Sequence, residues 1–230
     1  FLVYGEAMAV NQLLEHRMIR LDDPIDGFIY DYFMGRYVLE GARERFTWTD
    51  KQYEKENDIT GVVSDRGSID FGKDVLIAVM HKRLQKPLSE LYGKELIPTY
   101  CFSRLYMPGA LLQLHQDRPS CEVSFTYCHM GEPWSIQVIP ENAKDNGDIS
   151  GLNFEMSPGC GVYYRGCDEP HQRTQPAPSV VLQSFFHFVE KDGPHADHAY
   201  DALVGPSEHD PKGKWEDFYT IDFKNFDERF

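Results

Sequence analysis

Residues 104–117 read Arg104-Leu105-Tyr106-Met107-Pro108-Gly109-Ala110-Leu111-Leu112-Gln113-Leu114-His115-Gln116-Asp117. Apolar residues stand on both sides of Pro108-Gly109, which predicts two short strands joined by a turn. Residues i and i+2 of a strand point to the same side, so His115 and Asp117 can reach one metal ion together. Two imidazoles and one carboxylate bind one face of a non-haem ferrous ion, so a second histidine would complete this ligand set.

His171 is the candidate for that second histidine. It follows Glu169-Pro170 and opens a later predicted strand. Its rival is His187, which lies within the apolar run Phe185-Phe186-His187-Phe188, where a hydrogen-bonded core histidine is more common than a ligand. The alternative for His115 and Asp117 is an exposed histidine and a turn carboxylate with no metal.

The sequence around these residues resembles the iron- and 2-oxoglutarate-dependent dioxygenases, especially the branch that includes the prolyl 4-hydroxylases. The resemblance covers roughly residues 71–190 and depends on several blocks in the right order. These are Tyr106-x-Pro108-Gly109 before His115-x-Asp117, then Met156-Ser157-Pro158-Gly159, then Val162-Tyr163-Tyr164-Arg165-Gly166 with Pro170-His171.

The resemblance implies a double-stranded β-helix (jelly-roll) core that binds Fe(II) through His115, Asp117 and His171. It implies 2-oxoglutarate as co-substrate, with Tyr106 as the tyrosine that hydrogen-bonds it, and release of succinate and carbon dioxide. Related halogenases lack the carboxylate, so Asp117 favours hydroxylation, or desaturation or cyclisation, of an amino acid, a peptide or a small metabolite.

The residue that anchors 2-oxoglutarate is less obvious. Family members place Arg or Lys about ten residues after the distal histidine, but residues 179–182 contain no cation. A buried dicarboxylate needs a counter-charge, and Arg173 lies two residues after His171, on the same face of a regular strand. Arg118 and Arg165 are the alternatives, and Arg118 could instead bind a substrate carboxylate.

The whole chain reads as one α+β domain, 1–230. We predict helical N-terminal support over 1–95, a jelly-roll core over 96–190 and a C-terminal tail over 191–230. Helices are predicted over 5–20, 25–42 and 74–91, the last ending at Gly93, with a loop over 49–70. The helices should pack outside one sheet. Eight strands are predicted over 99–106, 111–117, 121–128, 134–139, 152–156, 161–165, 171–174 and 180–189.

The amino-acid composition of the chain limits the classes of substrate and partner that we expect it to bind. The net charge is −14, from 23 basic and 37 acidic residues, which disfavours nucleic acid and leaves a small-molecule or peptide substrate. Five cysteines without a C-x-x-C pair suggest reduced thiols and a cytoplasmic location. We see no membrane span and no signal peptide, and because the chain begins with Phe1 we expect the native N terminus to differ.

Two other functions fit parts of the pattern. One is a cupin-type metalloenzyme that acts without 2-oxoglutarate, although cupins use more histidines in an H-x-H arrangement that this chain lacks. The other is a non-catalytic jelly-roll binding module in which the His and Asp residues are incidental.

Overall fold

The computed structural model of the protein describes residues 17–20, 29, 31–35, 63–64, 68–72, 74–141, 151–200 and 215–220. The described strands, numbered in chain order, are β1 (Met18–Arg20), β2 (Val63–Ser64), β3 (Ser68–Gly72), β4 (Leu96–Tyr106), β5 (Leu111–Leu112), β6 (Val123–Met130), β7 (Trp134–Val138), β8 (Leu152–Met156), β9 (Cys160–Tyr164), β10 (His171–Gln172) and β11 (Val181–Glu190). The described helices are α1 (Val75–Tyr92), α2 (Trp215–Thr220) and two 3-10 turns, Pro119–Cys121 and Ala196–His198.

The larger sheet contains six antiparallel strands in the order β1-β9-β6-β11-β4-β3. Strand β11 lies inside this sheet and pairs with both β4 and β6. Nine of its ten residues are buried. Burial on both faces explains why apolar residues stand side by side in this strand, as in Val181-Leu182 and Phe185-Phe186, instead of alternating with polar ones.

The smaller sheet has β7 between β10 and β8. The backbone N–H groups of His115 and His171 donate to each other's carbonyls at 3.1 and 2.9 Å, and the N–H of Arg173 donates to the carbonyl of Leu112 at 2.8 Å. These bonds join the segment that contains β5 to β10. The strands β4–β11 are therefore divided between two facing antiparallel sheets, which is consistent with the predicted jelly roll.

The larger sheet separates two apolar clusters. The outer cluster fills the space between this sheet and α1, and it includes Ile77, Leu84, Leu105, Phe186 and Phe188. The inner cluster lies between the two sheets and includes Tyr106, Trp134, Met156, Val162, Tyr164 and Phe185. Tyr164 of this inner cluster contacts His171, with 4.5 Å between the ring centroids.

The predicted helix over 74–91 and its end at Gly93 are confirmed by α1. Asp74 caps the helix by accepting hydrogen bonds from the N–H groups of Leu76 and Ile77 at 2.9 and 3.3 Å. Gly93 ends it with a φ of 81°, a left-handed conformation that glycine adopts without steric cost. No helix among the described residues is long and apolar enough to cross a membrane.

Part of the C-terminal tail packs against α1. The Nε2 of His81 lies 3.0 Å from the His187 carbonyl, which can only accept, so Nδ1 of His81 accepts from the Tyr219 hydroxyl at 2.8 Å. Lys82 donates to the carbonyl of Phe218, also at 2.8 Å. Helix α2 therefore covers the helix that supports the larger sheet.

The N-terminal prediction is wrong in two places, and the helical N-terminal layer is not confirmed as a whole. Met18–Arg20, inside the predicted helix over 5–20, form β1, because their backbone groups pair with the edge of β9. The predicted loop over 49–70 contains β2 and most of β3, whose Ile69 and Phe71 turn into the outer cluster. Residues 29 and 31–35 are helical, within the predicted helix over 25–42, and the rest of that range lies outside the described residues.

Candidate metal centre

His115, Asp117 and His171 come together where the segment after β5 meets β10. One ligand atom from each residue lies within 4.8 Å of the other two. The predicted strand over 111–117 is shorter than expected, since regular pairing ends at Leu112. His115 is held in place by its backbone bridge to His171. The N–H of Asp117 donates to the carbonyl of Gly166 at 2.9 Å.

Both histidines are oriented by backbone carbonyls. Nδ1 of His115 lies 2.7 Å from the carbonyl of Gln113, and Nδ1 of His171 lies 3.0 Å from the carbonyl of Glu169. A carbonyl can only accept, so each Nδ1 carries the proton and each Nε2 keeps its lone pair. This is the tautomer that binds a metal through Nε2, with the outer hydrogen bond fixing the ring.

The Asp117 carboxylate faces both lone pairs. Nε2 of His115 lies 3.5 Å from Oδ1, and Nε2 of His171 lies 3.6 Å from Oδ2. Burial raises the pKa of Asp117, but the neighbouring His115, His171 and His187 lower that pKa to about 2, so the carboxylate is ionised at neutral pH. Burial lowers the pKa of His171. Electron-rich atoms therefore point at one another, an arrangement that a divalent cation between them would stabilise.

Gly166 makes room for the Asp117 carboxylate. A Cβ at this position would lie 2.6 Å from Oδ2 of Asp117, 2.6 Å from Oγ of Ser124 and 2.7 Å from the carbonyl of Cys121. These separations are well inside van der Waals contact, so any side chain here would displace the carboxylate. Gly166 belongs to the Tyr-Arg-Gly block quoted above, but nothing in that block indicates that it contacts Asp117.

We therefore expect Gly166→Ala to weaken metal binding more than it weakens the fold. The extra methyl should cost about 1–3 kcal/mol of stability as overpacking, and moving a ligand should lower Fe(II) affinity by at least about tenfold. Isothermal titration under anaerobic conditions measures the affinity, and thermal unfolding measures the stability. Gly72→Ala is the matched control, because nothing lies within 4 Å of a Cβ at that position. Unchanged Fe(II) affinity in Gly166→Ala would contradict this role.

A buried ion pair fixes the loop before His171. Arg17 donates to both carboxylate oxygens of Glu169 at 2.8 Å, and both side chains are almost fully buried. The same carboxylate accepts the N–H of Arg165 at 2.9 Å. Because the Glu169 carbonyl accepts from His171, the pair holds one of the three candidate ligands in its orientation.

Arg173 lies inside the fold, with 2% of its surface exposed. Its guanidinium donates to the Trp134 carbonyl and, at 2.9 Å, to Oε1 of Gln183, and it lies 4.3 Å above the Trp134 ring. No carboxylate of the described residues forms an ion pair with it. Burial lowers the pKa of Arg173 to about 10, so the group stays charged at neutral pH.

Several polar atoms around Arg173 lack a partner. Within the described part of the chain, Nε of Arg173, the Tyr106 hydroxyl and Nε2 of Gln183 are buried and make no hydrogen bond. The Tyr106 ring contacts Trp134 edge-on at 5.0 Å, and burial raises the pKa of its hydroxyl. Donors left unpaired in a core are costly, and acceptor oxygens brought into this space would satisfy them.

The other two predicted arginines are placed differently. Arg165 forms an ion pair with Asp168, lies 3.9 Å from Glu141, and keeps 42% of its side chain exposed. Its charge is therefore already balanced at the surface. Arg118 lies against the Tyr100 ring, 4.4 Å from the centroid, where Tyr100 is half-buried. Arg173 is the only one of the three that is buried in the described structure.

His187 is a core residue, as the sequence predicted, but it also approaches the site. It is 3% exposed, and burial lowers its pKa to about 4. Its Nδ1 lies 2.9 Å from Oγ of Ser124, and its ring stacks on Tyr100 with 4.4 Å between centroids. One ligand atom each from Asp117, Cys121 and His187 also lies within 4.8 Å of the others.

No protein-family model and no curated protein matches this chain. The similar solved structures include an oxidoreductase of the 2OG-Fe(II) oxygenase family from Burkholderia pseudomallei, 12% identical with a TM-score of 0.37. That overlap covers 46% of this chain and 52% of the other, so the chain spans about half of that protein. Several of the similar structures are 2-oxoglutarate–Fe(II) oxygenases.

Two further structures give the range of these similarities. A prolyl-4-hydroxylase from Pseudomonas putida is 17% identical with a TM-score of 0.44, over 79% of this chain and 96% of that one. SnoN, a non-heme alpha ketoglutarate dependent epimerase from nogalamycin biosynthesis, is 11% identical with a TM-score of 0.45, over 63% and 71%. At this level of similarity, function has to be inferred from the side chains of this chain.

Proposed function

We propose that this protein is a non-haem Fe(II)/2-oxoglutarate-dependent oxygenase with a jelly-roll core. The observation that carries the proposal is the pair of histidines whose bare Nε2 atoms face one carboxylate, with each Nδ1 held by a backbone carbonyl. Two imidazoles and a carboxylate suit ferrous iron and leave positions open for a co-substrate and dioxygen. The His–Asp–His group is compatible with an iron site.

The surroundings of Arg173 support 2-oxoglutarate as the co-substrate. Its positive charge has no acidic partner among the described residues, and the unpaired Tyr106 and Gln183 donors lie on the adjoining strands β4 and β11. A distal carboxylate would satisfy all of these groups at once. Arg173 is the second residue after His171, which places their Cα atoms about 7 Å apart in an extended strand. This distance is of the order of the length of a five-carbon dicarboxylate.

When bound, the iron and 2-oxoglutarate supply the oxidising chemistry, and the protein supplies positioning and shielding. His115, Asp117 and His171 would hold the ion, and Arg173 with Tyr106 would orient the co-substrate. The buried Trp134 and Tyr164 exclude water from the space between the sheets.

The substrate we propose is an amino acid, a peptide or a small metabolite, with hydroxylation as the outcome. Half-buried Tyr100 and Phe102 lie on the same face of β4 as Tyr106, and His187 links them to the site. Aromatic residues of this kind suit the apolar part of an organic substrate. The net charge of −14 argues against nucleic acid. All five cysteines are free, which supports a reducing compartment such as the cytoplasm.

Anaerobic titration tests the proposed function directly. Fe(II) followed by 2-oxoglutarate should produce a visible metal-to-ligand charge-transfer band, and the band should be absent with either component alone. A cupin-type enzyme would bind the metal without this band, and a binding module would show neither effect. Succinate release, measured against a panel of free amino acids, peptides and small metabolites, then identifies the substrate class.

A further inference from the structure

His187 is a third buried histidine with a possible ligand atom close to Asp117. Nδ1 of His187 lies 2.9 Å from Oγ of Ser124, and we assign the proton of this contact to Nδ1 because the Ser124 hydroxyl is also within donating distance of the Cys121 carbonyl, at 3.4 Å. Nε2 of His187 therefore keeps its lone pair. This buried atom has no hydrogen-bond partner within the described part of the chain. A lone pair that is buried without a donor is costly, and a bound cation would satisfy it.

Cys121 supplies the other half of this arrangement. The residue is 1% exposed, and its sulfur lies 3.1 Å from the Tyr100 hydroxyl. One ligand atom from each of Asp117, Cys121 and His187, which is the sulfur in the case of Cys121, lies within 4.8 Å of the other two. Zinc lies about 2.3 Å from sulfur and about 2.0 Å from nitrogen, so small side-chain rotations would bring these donors onto one ion.

We propose that Asp117, Cys121 and His187 form a second metal site, for a thiophilic divalent ion such as Zn²⁺. Thiolate and imidazole together favour zinc, whereas the ligand set of His115, Asp117 and His171 suits ferrous iron. Binding converts the Cys121 thiol to a thiolate and releases its proton to solvent. The two sites share Asp117, so an ion in the second site draws on a ligand that the iron site needs, and binding at the two sites is antagonistic.

Cobalt reports on this site, because a Co²⁺–thiolate bond gives a near-ultraviolet charge-transfer band that nitrogen and oxygen ligands do not give. Titration of the full chain with Co²⁺ under anaerobic, reducing conditions should produce this band. His115→Ala should retain it, since that residue belongs only to the iron set. Cys121→Ser should lose it, and Cys160→Ser, at the far end of β9, should retain it. Co²⁺ binding to the unsubstituted protein without the band would overturn the proposal, whatever the variants do.

Competition between ions tests the sharing of Asp117. The Zn²⁺ concentration that halves Fe(II) binding should be at least about 100-fold higher for Cys121→Ser than for the unsubstituted protein. Losing a hydrogen-bond partner of a metal ligand lowers metal affinity by about 10–100-fold, so losing a ligand should lower it by at least the larger of these factors. Fe(II) affinity without zinc should stay the same. If zinc competes equally well in both proteins, it acts at the iron ligands alone and the second site is refuted. The cobalt band is measured without iron, so failure of the iron proposal would leave the cobalt result unaffected.

Discussion

Replacing Asp117 with alanine should abolish oxygenase activity. The substitution removes the one anionic ligand of the proposed iron site and leaves two neutral imidazoles to hold a divalent ion. Losing an outer partner of a metal ligand already costs about 10–100-fold in affinity or activity, so losing a ligand should cost more than about 100-fold. Succinate formation and anaerobic Fe(II) titration measure the two losses.

His187→Ala is the informative comparison for this experiment. His187 lies in the core near Asp117 but outside the proposed iron set, so its loss should lower the free energy of unfolding and leave Fe(II) affinity close to that of the unsubstituted protein. His171→Ala should lower Fe(II) affinity severely. Equal loss of iron binding in both histidine variants would mean that the distal ligand has been assigned to the wrong residue.

Arg173→Met should raise the requirement for 2-oxoglutarate more than it weakens the fold. Removing one partner of a buried, hydrogen-bonded charge pair costs about 2–5 kcal/mol, which corresponds to at least about a 30-fold rise in the 2-oxoglutarate concentration for half-maximal rate. Methionine roughly fills the volume beside Trp134. The substitution removes a buried charge that has no described acidic partner, but it also takes the donor from the Trp134 carbonyl and from Oε1 of Gln183, so the loss of stability should be no more than about 1–3 kcal/mol.

Two controls separate this role from a purely structural one. Arg173→Lys keeps the charge but loses the planar fork, so it should restore part of the affinity for 2-oxoglutarate. Arg165→Met removes a charge that is already paired at the surface and should leave the 2-oxoglutarate requirement unchanged. If Arg173→Met kept a normal requirement and Arg165→Met or Arg118→Met lost it, the anchor would be the other arginine.

The parts of the fold that could be predicted are those encoded by short-range patterns. Alternating or continuous apolar runs bounded by Pro and Gly located the strands from β4 to β11, with ends shifted by a few residues. The approach of His115 to His171 followed from spacing and resemblance together. The roles of these residues as metal ligands, and of Arg173 as anchor, stay predictions.

The parts that could not be predicted depend on contacts between distant segments. Met18–Arg20 form a strand because the edge of β9 offers hydrogen bonds, and nothing within the local sequence shows that edge. The contact of Gly166 with Asp117 joins two segments 49 positions apart in the chain, so no local pattern around Gly166 indicates it. His187 was correctly placed in the core, but the approach of Cys121 to it depends on the 3-10 turn before β6, which periodicity does not show.

The ion pair between Arg17 and Glu169 limits how far this domain can be truncated from its N-terminal side. The two residues are 152 positions apart, and Arg17 precedes every motif that identifies the site. A fragment beginning at residue 71 would contain all the proposed ligands and still leave Glu169 buried without its counter-charge. Breaking a buried pair in this way costs about 3–5 kcal/mol, a large share of the about 5–15 kcal/mol that stabilises an ordinary domain. The smallest autonomous unit of this protein is therefore larger than its recognisable motifs.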